Sequence, residues 1–188
     1  MLSKLVLVTP TKKHAAPIIT LSQAATFQKE GNSKSQIFQK DFSMSTFKKE
    51  YTALADAIIT SSIVMPATKT EDKQAPTFYF YTEKAAWDTG AQFSFISPRL
   101  VEVLGLRPYR RAGFMGIGGD QVTDTYLVNI GLSNGKLISE LEVYCGDIDD
   151  YDLLLGMDII SQTDFLITNA DNRTTFQFRT PSEGGIEL

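Results

Sequence analysis

Apolar positions recur along this chain in short runs rather than in long amphipathic stretches. Residues 77–82 (Thr-Phe-Tyr-Phe-Tyr-Thr) are aromatic and β-prone, and Glu83-Lys84 reads as a turn. Strand-like runs follow at 122–132, 137–145, 152–155, 165–168 and 174–178, with Gly, Asn and Asp between them. Short strands at such spacing predict an all-β barrel or sandwich. Two short helical pieces interrupt it. Residues 97–104 open on Ser97-Pro98, a cap followed by proline at the first helical position, and stop before Gly105. Residues 157–162 make a turn or two.

The N-terminal part is patterned differently. Leu5-Val6-Leu7-Val8 could form a short edge strand, residues 28–36 are polar and read as loop or disorder, and 68–76 read as a polar turn. Phe47, Tyr51, Leu54 and Ile58 lie at helical spacing behind Ser43 or Ser45, which gives a possible helix over 45–58. Ile58, Ile59, Ile63 and Val64 are β-branched and give a possible strand over 58–65. Three segments result: an N-terminal extension 1–76, a β domain 77–180 and a C-terminal tail 181–188. No repeat of fixed period appears.

Composition narrows the chemistry. The chain has 188 residues, 43% hydrophobic, 21% charged and of net charge -4. A mildly acidic protein is a poor match for phosphate-driven nucleic-acid binding, so no nucleic-acid partner is expected. The single cysteine, Cys145, excludes an internal disulfide and a cysteine zinc cluster. With a single histidine, His14, most Ser-His, Cys-His and multi-His chemistry lacks its parts. Asp147, Asp149, Asp150 and Asp152 cluster without EF-hand spacing and read as a polar loop; no metal and no cofactor is expected. Arg107-Pro108-Tyr109-Arg110-Arg111 reads as a solvated loop. Cys145, on a strand, reads as buried and inert. No run approaches the roughly 18 apolar residues of a membrane span, so the expected setting is soluble and cytoplasmic, with no membrane partner. Carboxylate, Lys and Tyr chemistry remain.

Three motifs could carry it. Asp88-Thr89-Gly90 follows the apolar Ala85-Ala86-Trp87 and precedes the apolar Phe93, Phe95 and Ile96. A carboxylate ending a buried strand needs hydrogen-bond partners. Taken alone, the tripeptide is an Asx-type turn, and chance supplies one in roughly a tenth of chains this long. Gly116-Ile117-Gly118-Gly119 lacks the spacing and the βαβ setting of a dinucleotide fingerprint. Between strand-like flanks it reads as a mobile hairpin tip or an ordinary hairpin turn. Leu153-Leu154-Leu155-Gly156 reads as a core strand ending in glycine, with Met157-Asp158 opening a short helix.

In this order and spacing, over about residues 77–178, the three motifs resemble the retropepsins, the retroviral-type aspartic proteases. Asp88-Thr89-Gly90-Ala91, followed by Phe95-Ile96-Ser97, is similar to the family's active-site signature. Gly116 to Gly119 stand at its flap tip, and Leu154-Leu155-Gly156-Met157-Asp158 at its second active-site element. Trp87 and Gln92 depart from the usual Leu or Ile and from the usual small residue. The resemblance implies an aspartic endopeptidase built on a closed acid-protease barrel, a single lobe assembling as a homodimer. Asp88, Thr89 and Gly90 are then catalytic. Ala91, Met115, Gly116, Ile117, Gly118, Gly119 and Leu155 bind the peptide or protein substrate, and Leu154, Gly156 and Asp158 support the site. Because the chain carries one such triplet, the second aspartate must come from a second copy. The family places terminal strands at the dimer contact, which makes residues 174–178 the candidate here. The alternative is a non-catalytic retropepsin-fold peptide-binding or scaffold module.

Overall fold

The computed structural model describes residues 45–67, 79–116 and 118–184. The expected edge strand at 5–8, the loops at 28–36 and 68–76, His14 and Ile117 lie outside the described residues, as do the last four of the expected tail.

The described chain is mostly β-sheet with two helices. A small antiparallel sheet has the order β1–β10–β9, where β1 is Ser45–Glu50, β9 is Asp164–Ala170 and β10 is Arg173–Thr180. A larger sheet has the order β2–β3–β8–β4–β7–β6–β5. Its strands are β2 (Ile58–Pro66), β3 (Phe80–Trp87), β4 (Phe95–Ile96), β5 (Arg110–Gly116), β6 (Gly119–Leu132), β7 (Leu137–Cys145) and β8 (Leu153–Leu155). β2 also pairs along its other edge with β6. The helices are α1 (Pro98–Leu104) and α2 (Met157–Ile160).

Local chemistry explains α1 well. Ser97 accepts the Leu100 N–H on its side chain, Pro98 stands at the start, and Gly105 closes the helix at a φ of 58°, where a side chain would be strained. Leu100 and Leu104 turn inward. They join a continuous core of Val64, Phe80, Ile96, Val128, Ile130, Val143, Leu153, Leu155 and Ile159, which extends to Phe176 and Phe178 of the small sheet.

Four expectations are corrected. The helix over 45–58 is instead β1 and an irregular stretch before β2. Phe47 and Tyr51 satisfy either period over so short a span. Pairing decides, with Phe47 opposite Phe178 and ring centroids 5.4 Å apart. Nor do residues 45–66 stand apart from the sheets that follow. β1 pairs with β10, and β2 is flanked by β3 and β6, so residues 45–66 belong to the same sheets as the rest. Glu83-Lys84 is no turn. β3 runs through it, and the register shifts there because Ser62 faces Thr82 while Thr60 faces Ala85. Residues 110 and 111 are the start of β5 rather than a loop, with Arg110 paired to Glu142 and Arg111 to Asp124.

The strand expected at a dimer contact, residues 174–178, is the middle of the small sheet. β10 has β1 on one edge and β9 on the other, so it has no free backbone edge to offer.

Candidate active site

The site is built where β8 passes between the two strands that bracket Asp88. β8 runs parallel to β3, with Trp87 opposite Leu155, and antiparallel to β4, with Phe95 opposite Leu154. The Asp88 N–H extends the first ladder by donating to the Leu155 carbonyl at 3.0 Å. The chain then turns sharply. Asp88 Oδ1 accepts the Gly90 N–H at 2.8 Å, and the Asp88 carbonyl accepts the Ala91 N–H at 3.3 Å. This is the Asx turn that the tripeptide predicts. A Cβ at Gly90 would lie 3.1 Å from Asp88 Oδ1, so the glycine leaves the carboxylate its place. Asp88 is half-buried, while Thr89 and Gly90 are exposed.

A second set of bonds locks this loop to the turn after β8. The Met157 N–H donates to the Ala91 carbonyl at 2.8 Å. The Gly156 N–H donates to Ser94 Oγ at 3.0 Å. Ser94 in turn donates its N–H (2.8 Å) and its hydroxyl (2.6 Å) to the Asp158 carboxylate. At Gly156 a Cβ would overlap the Phe93 carbonyl, 2.5 Å from its carbon and 3.0 Å from the Ala91 oxygen. Only glycine allows so close an approach of two backbones.

Asp88 opens onto a cleft of about 440 Å³. Trp87 and Leu154 line it, together with residues 55–58 of the β1–β2 connection, Tyr151, and Ile167, Asn169 and Thr174 of the small sheet. Trp87 does not simply plug the cleft. Its indole packs on Phe178 at 4.7 Å and Phe176 at 5.2 Å, and its Nε1–H donates to Thr60 Oγ1 at 3.0 Å.

Leu154 and Leu155 face opposite ways. Leu155, expected to touch substrate, is fully buried, and Leu154 faces the cleft. The two-residue period of β8 sends Leu153 and Leu155 into the core and the residue between them outward.

β5 and β6 form a hairpin whose tip closes at the Gly116–Gly119 pair. Met115 is 84% exposed beside it, and Gly118 and Gly119 are exposed; Gly119 takes a φ of 93°. Behind the tip, Phe114 packs edge-on against Phe95 (5.0 Å) and Tyr144 (5.7 Å), while Phe93 stacks on Tyr144 at 4.8 Å. This aromatic cluster joins the hairpin to the loop that carries Asp88. The alternating Phe93 and Phe95 were its only sequence signal.

Other titratable groups are structural. Asp152 is buried, accepting from Thr82 Oγ1 at 2.7 Å and from Arg99 at 3.2 Å. Burial pushes the Cys145 thiol up, aided by the negative charge of Asp124, which disfavours the thiolate a nucleophile would need. Among the described residues no group of His, Cys, Asp and Glu could hold a metal ion. None of the described helices is long and apolar enough to cross a membrane.

The described chain is thus a mostly β fold with two short helices and an aspartate turn locked under a crossing strand. Three solved structures are similar to it. EIAV protease complexed with the inhibitor HBY-793 is 24% identical at a TM-score of 0.42, over 59% of this chain and 90% of that one. A retropepsin-like aspartic protease from Rickettsia conorii is 14% identical at 0.42, over 76% and 98%. Simian Foamy Virus (mac) protease is 20% identical at 0.37, over 55% and 92%. The likeness is one of fold. No protein-family model and no curated protein matches the chain.

Proposed function

We propose that the protein is an aspartic endopeptidase whose active site forms from the Asp88 residues of two copies. One observation carries this reading. The Asp88 carboxylate is half-buried at the head of a cleft, held through Oδ1 by the Gly90 N–H, and Oδ2 has no partner among the described residues. Such a group is positioned yet free to act on a water.

Two ionised carboxylates about 3 Å apart repel by roughly 5 kcal/mol at an effective dielectric of about 20, so a facing pair keeps one shared proton. The ionised partner takes a proton from the water as its oxygen attacks the scissile carbonyl carbon. The protonated partner hydrogen-bonds the carbonyl oxygen and stabilises the tetrahedral intermediate. Collapse expels the amine, which leaves with a proton from the dyad. Thr89 and Gly90 shape the turn, and Ala91 borders it. Met115, Gly116, Ile117, Gly118 and Gly119 act as a flap that closes over an extended peptide, their backbone groups pairing with it as an added strand. Leu154, Gly156 and Asp158 hold the floor. The β2–β6 pairing, which returns the large sheet on itself, supports a closed barrel. The reaction calls for no metal and no cofactor.

The test is cleavage of a quenched-fluorescence peptide library from pH 3.5 to 7 by the full chain and by Asp88→Asn. The wild type is expected to cleave with an acid-shifted profile and to be inhibited by a pepstatin-type compound. Asp88→Asn is expected to keep its fold and lose about 10²–10⁴-fold in kcat/KM. Hydrolysis retained in Asp88→Asn rejects the assignment, and a folded wild type that binds peptides without cleaving them favours a binding module.

A further inference from the structure

The loop between β1 and β2 has no regular structure, yet it is pinned at several points. The Ala53 carbonyl accepts the Thr174 N–H at 3.1 Å, and the Ala55 N–H donates to Thr174 Oγ1 at 2.9 Å. Thr174 is 2% exposed, and its hydroxyl donates onward to Asn169 Oδ1 at 2.7 Å. Across the loop, the Tyr51 hydroxyl accepts the Ile59 N–H and donates to the Ile59 carbonyl, both at 2.8 Å. A loop tied in this way holds what it carries in a fixed place.

It carries Asp56. The residue is exposed, stands between Ala55 and Ala57, and lines the cleft that holds Asp88. Neighbours this small leave its carboxylate uncovered. Among the described residues nothing engages that carboxylate by hydrogen bond or ion pair. Glu142, Asp152, Asp158 and Asp164 are all engaged, by a side chain or a backbone N–H. The cleft supplies no answering charge either, since among the described residues no Lys, Arg or His lines it. Its walls are apolar at Ile58, Trp87, Leu154 and Ile167. A fixed, unanswered carboxylate above apolar walls fits a ligand group that is aliphatic along its length and cationic at its end.

We propose that Asp56 selects the substrate, and that the cleft takes a peptide with a lysine or arginine side chain next to the scissile bond. The inference rests on the protease reading above and names its substrate class. The stem of the basic side chain covers the apolar walls, and its head reaches the Asp56 carboxylate. Because the loop is already tied down, little ordering is needed when the bond forms. The same carboxylate works against an acidic side chain, which would meet Asp56 and the negative charge of the dyad together. A two-fold axis through the dyad repeats Asp56 on both sides of the bond, so the preference applies to the residue before it and to the residue after it.

The experiment uses the full chain and two peptide libraries that differ only at a fixed central residue. One carries lysine there, the other norleucine, which keeps the stem without the charge. Cleavage rates below saturation are compared for wild type, Asp56→Asn and Asp56→Lys, with Asp147→Asn, an exposed acid outside the cleft, as the control. Wild type and Asp147→Asn are expected to favour the lysine library on the order of tenfold. Asp56→Asn is expected to bring the ratio to about one, and Asp56→Lys to turn it against lysine. Fluorescein-labelled pools of the same peptides are also bound to Asp88→Asn, with and without Asp56→Asn, and read by anisotropy, so that the preference is seen without hydrolysis. A wild type without the lysine preference overturns the proposal, as does a preference that survives Asp56→Asn, or a chain that neither cleaves nor binds either library. The two readings fail separately. A protease indifferent to lysine loses only this assignment. A chain that binds the lysine library through Asp56 and cleaves nothing loses only the protease.

Discussion

Ser94 and Asp158 meet through two hydrogen bonds, the Ser94 N–H to one carboxylate oxygen at 2.8 Å and its hydroxyl to the other at 2.6 Å. The pair stands between the Asp88 loop and α2, and the Ile159 N–H completes the carboxylate's contacts at 2.9 Å. Truncation by Asp158→Ala leaves a backbone N–H and a buried serine hydroxyl without their acceptor. Charge-assisted bonds of this type are worth about 1.5–3 kcal/mol. The melting temperature is expected to drop by roughly 3–12 °C for a chain of this size. Asp158→Asn, which keeps an acceptor oxygen, is expected to lose less. Equal Tm values for Asp158→Ala and wild type would show that the pair does not hold the loop.

Gly156→Ala tests the crossing from the backbone side. The added methyl has no open space, since it would press on the Phe93 and Ala91 carbonyls rather than on a flexible side chain. Overpacking of this kind costs about 1–3 kcal/mol and forces backbone shifts. The variant is expected to melt earlier and to lose cleavage more than stability, because the displaced segment leads directly from Asp88. Gly135→Ala serves as the comparison. Its φ of 82° is unfavourable to alanine, but its Cβ would meet nothing, and it lies in the β6–β7 turn away from the cleft. If both variants keep full activity, the tight crossing is irrelevant to the site.

The features legible in the sequence were those fixed by local chemistry. Ser97-Pro98 and Gly105 set both ends of α1 within eight residues, and Asp88-Thr89-Gly90 makes its own turn. The features that escaped depend on distant partners. Phe47 and Tyr51 are compatible with either period, and β1 became a strand because β10 lies alongside it and Tyr51 bonds both the N–H and carbonyl of Ile59. Alternation was visible in Leu153-Leu154-Leu155, but which face is wet depends on β3 and β4 flanking the strand. Asp152 looked like one more acid in a polar loop. Its position directly before an apolar strand was the sign that it, unlike Asp147, Asp149 and Asp150, turns inward.

Asp152 supports a third prediction. Asp152 is 5% exposed; its carboxylate joins β3, through Thr82, to Arg99 of α1, while its carbonyl accepts the Ser97 N–H at 3.0 Å. Arg99→Ala leaves the charge facing Thr82 alone. Breaking a fully buried pair costs about 3–5 kcal/mol, and the partly exposed guanidinium brings the expected loss to about 1–3. Adding Asp152→Asn to Arg99→Ala removes the stranded charge and is expected to recover part of the loss. Urea unfolding of the two single variants and the double variant reads the coupling. Strictly additive losses would mean that the arginine does not offset the buried charge.

The pair at the base of the β5–β6 hairpin gives a pH dependence. Arg110 of β5 grips Glu142 of β7 across β6, with bonds of 2.7 and 2.8 Å. The hydrogen bond from Arg110 holds the Glu142 carboxyl below the usual range, outweighing its slight desolvation. A carboxyl lowered in the folded state contributes stability above its unfolded pKa of about 4.3 and loses it as pH falls through the folded value. The Tm difference between wild type and Glu142→Gln is therefore expected to be full from neutral pH down to about 5, to shrink below that, and to vanish once the folded carboxyl protonates. Salt narrows the gap at neutral pH, because Arg110 is exposed and screened. The contribution is small in stability but acts on the strand that leads to the hairpin tip. Hydrogen exchange at the amides of β5 is expected to quicken in Glu142→Gln above pH 5 and to match wild type in acid. A gap that grows as pH falls would reverse the sign of the linkage and remove this pair as the cause.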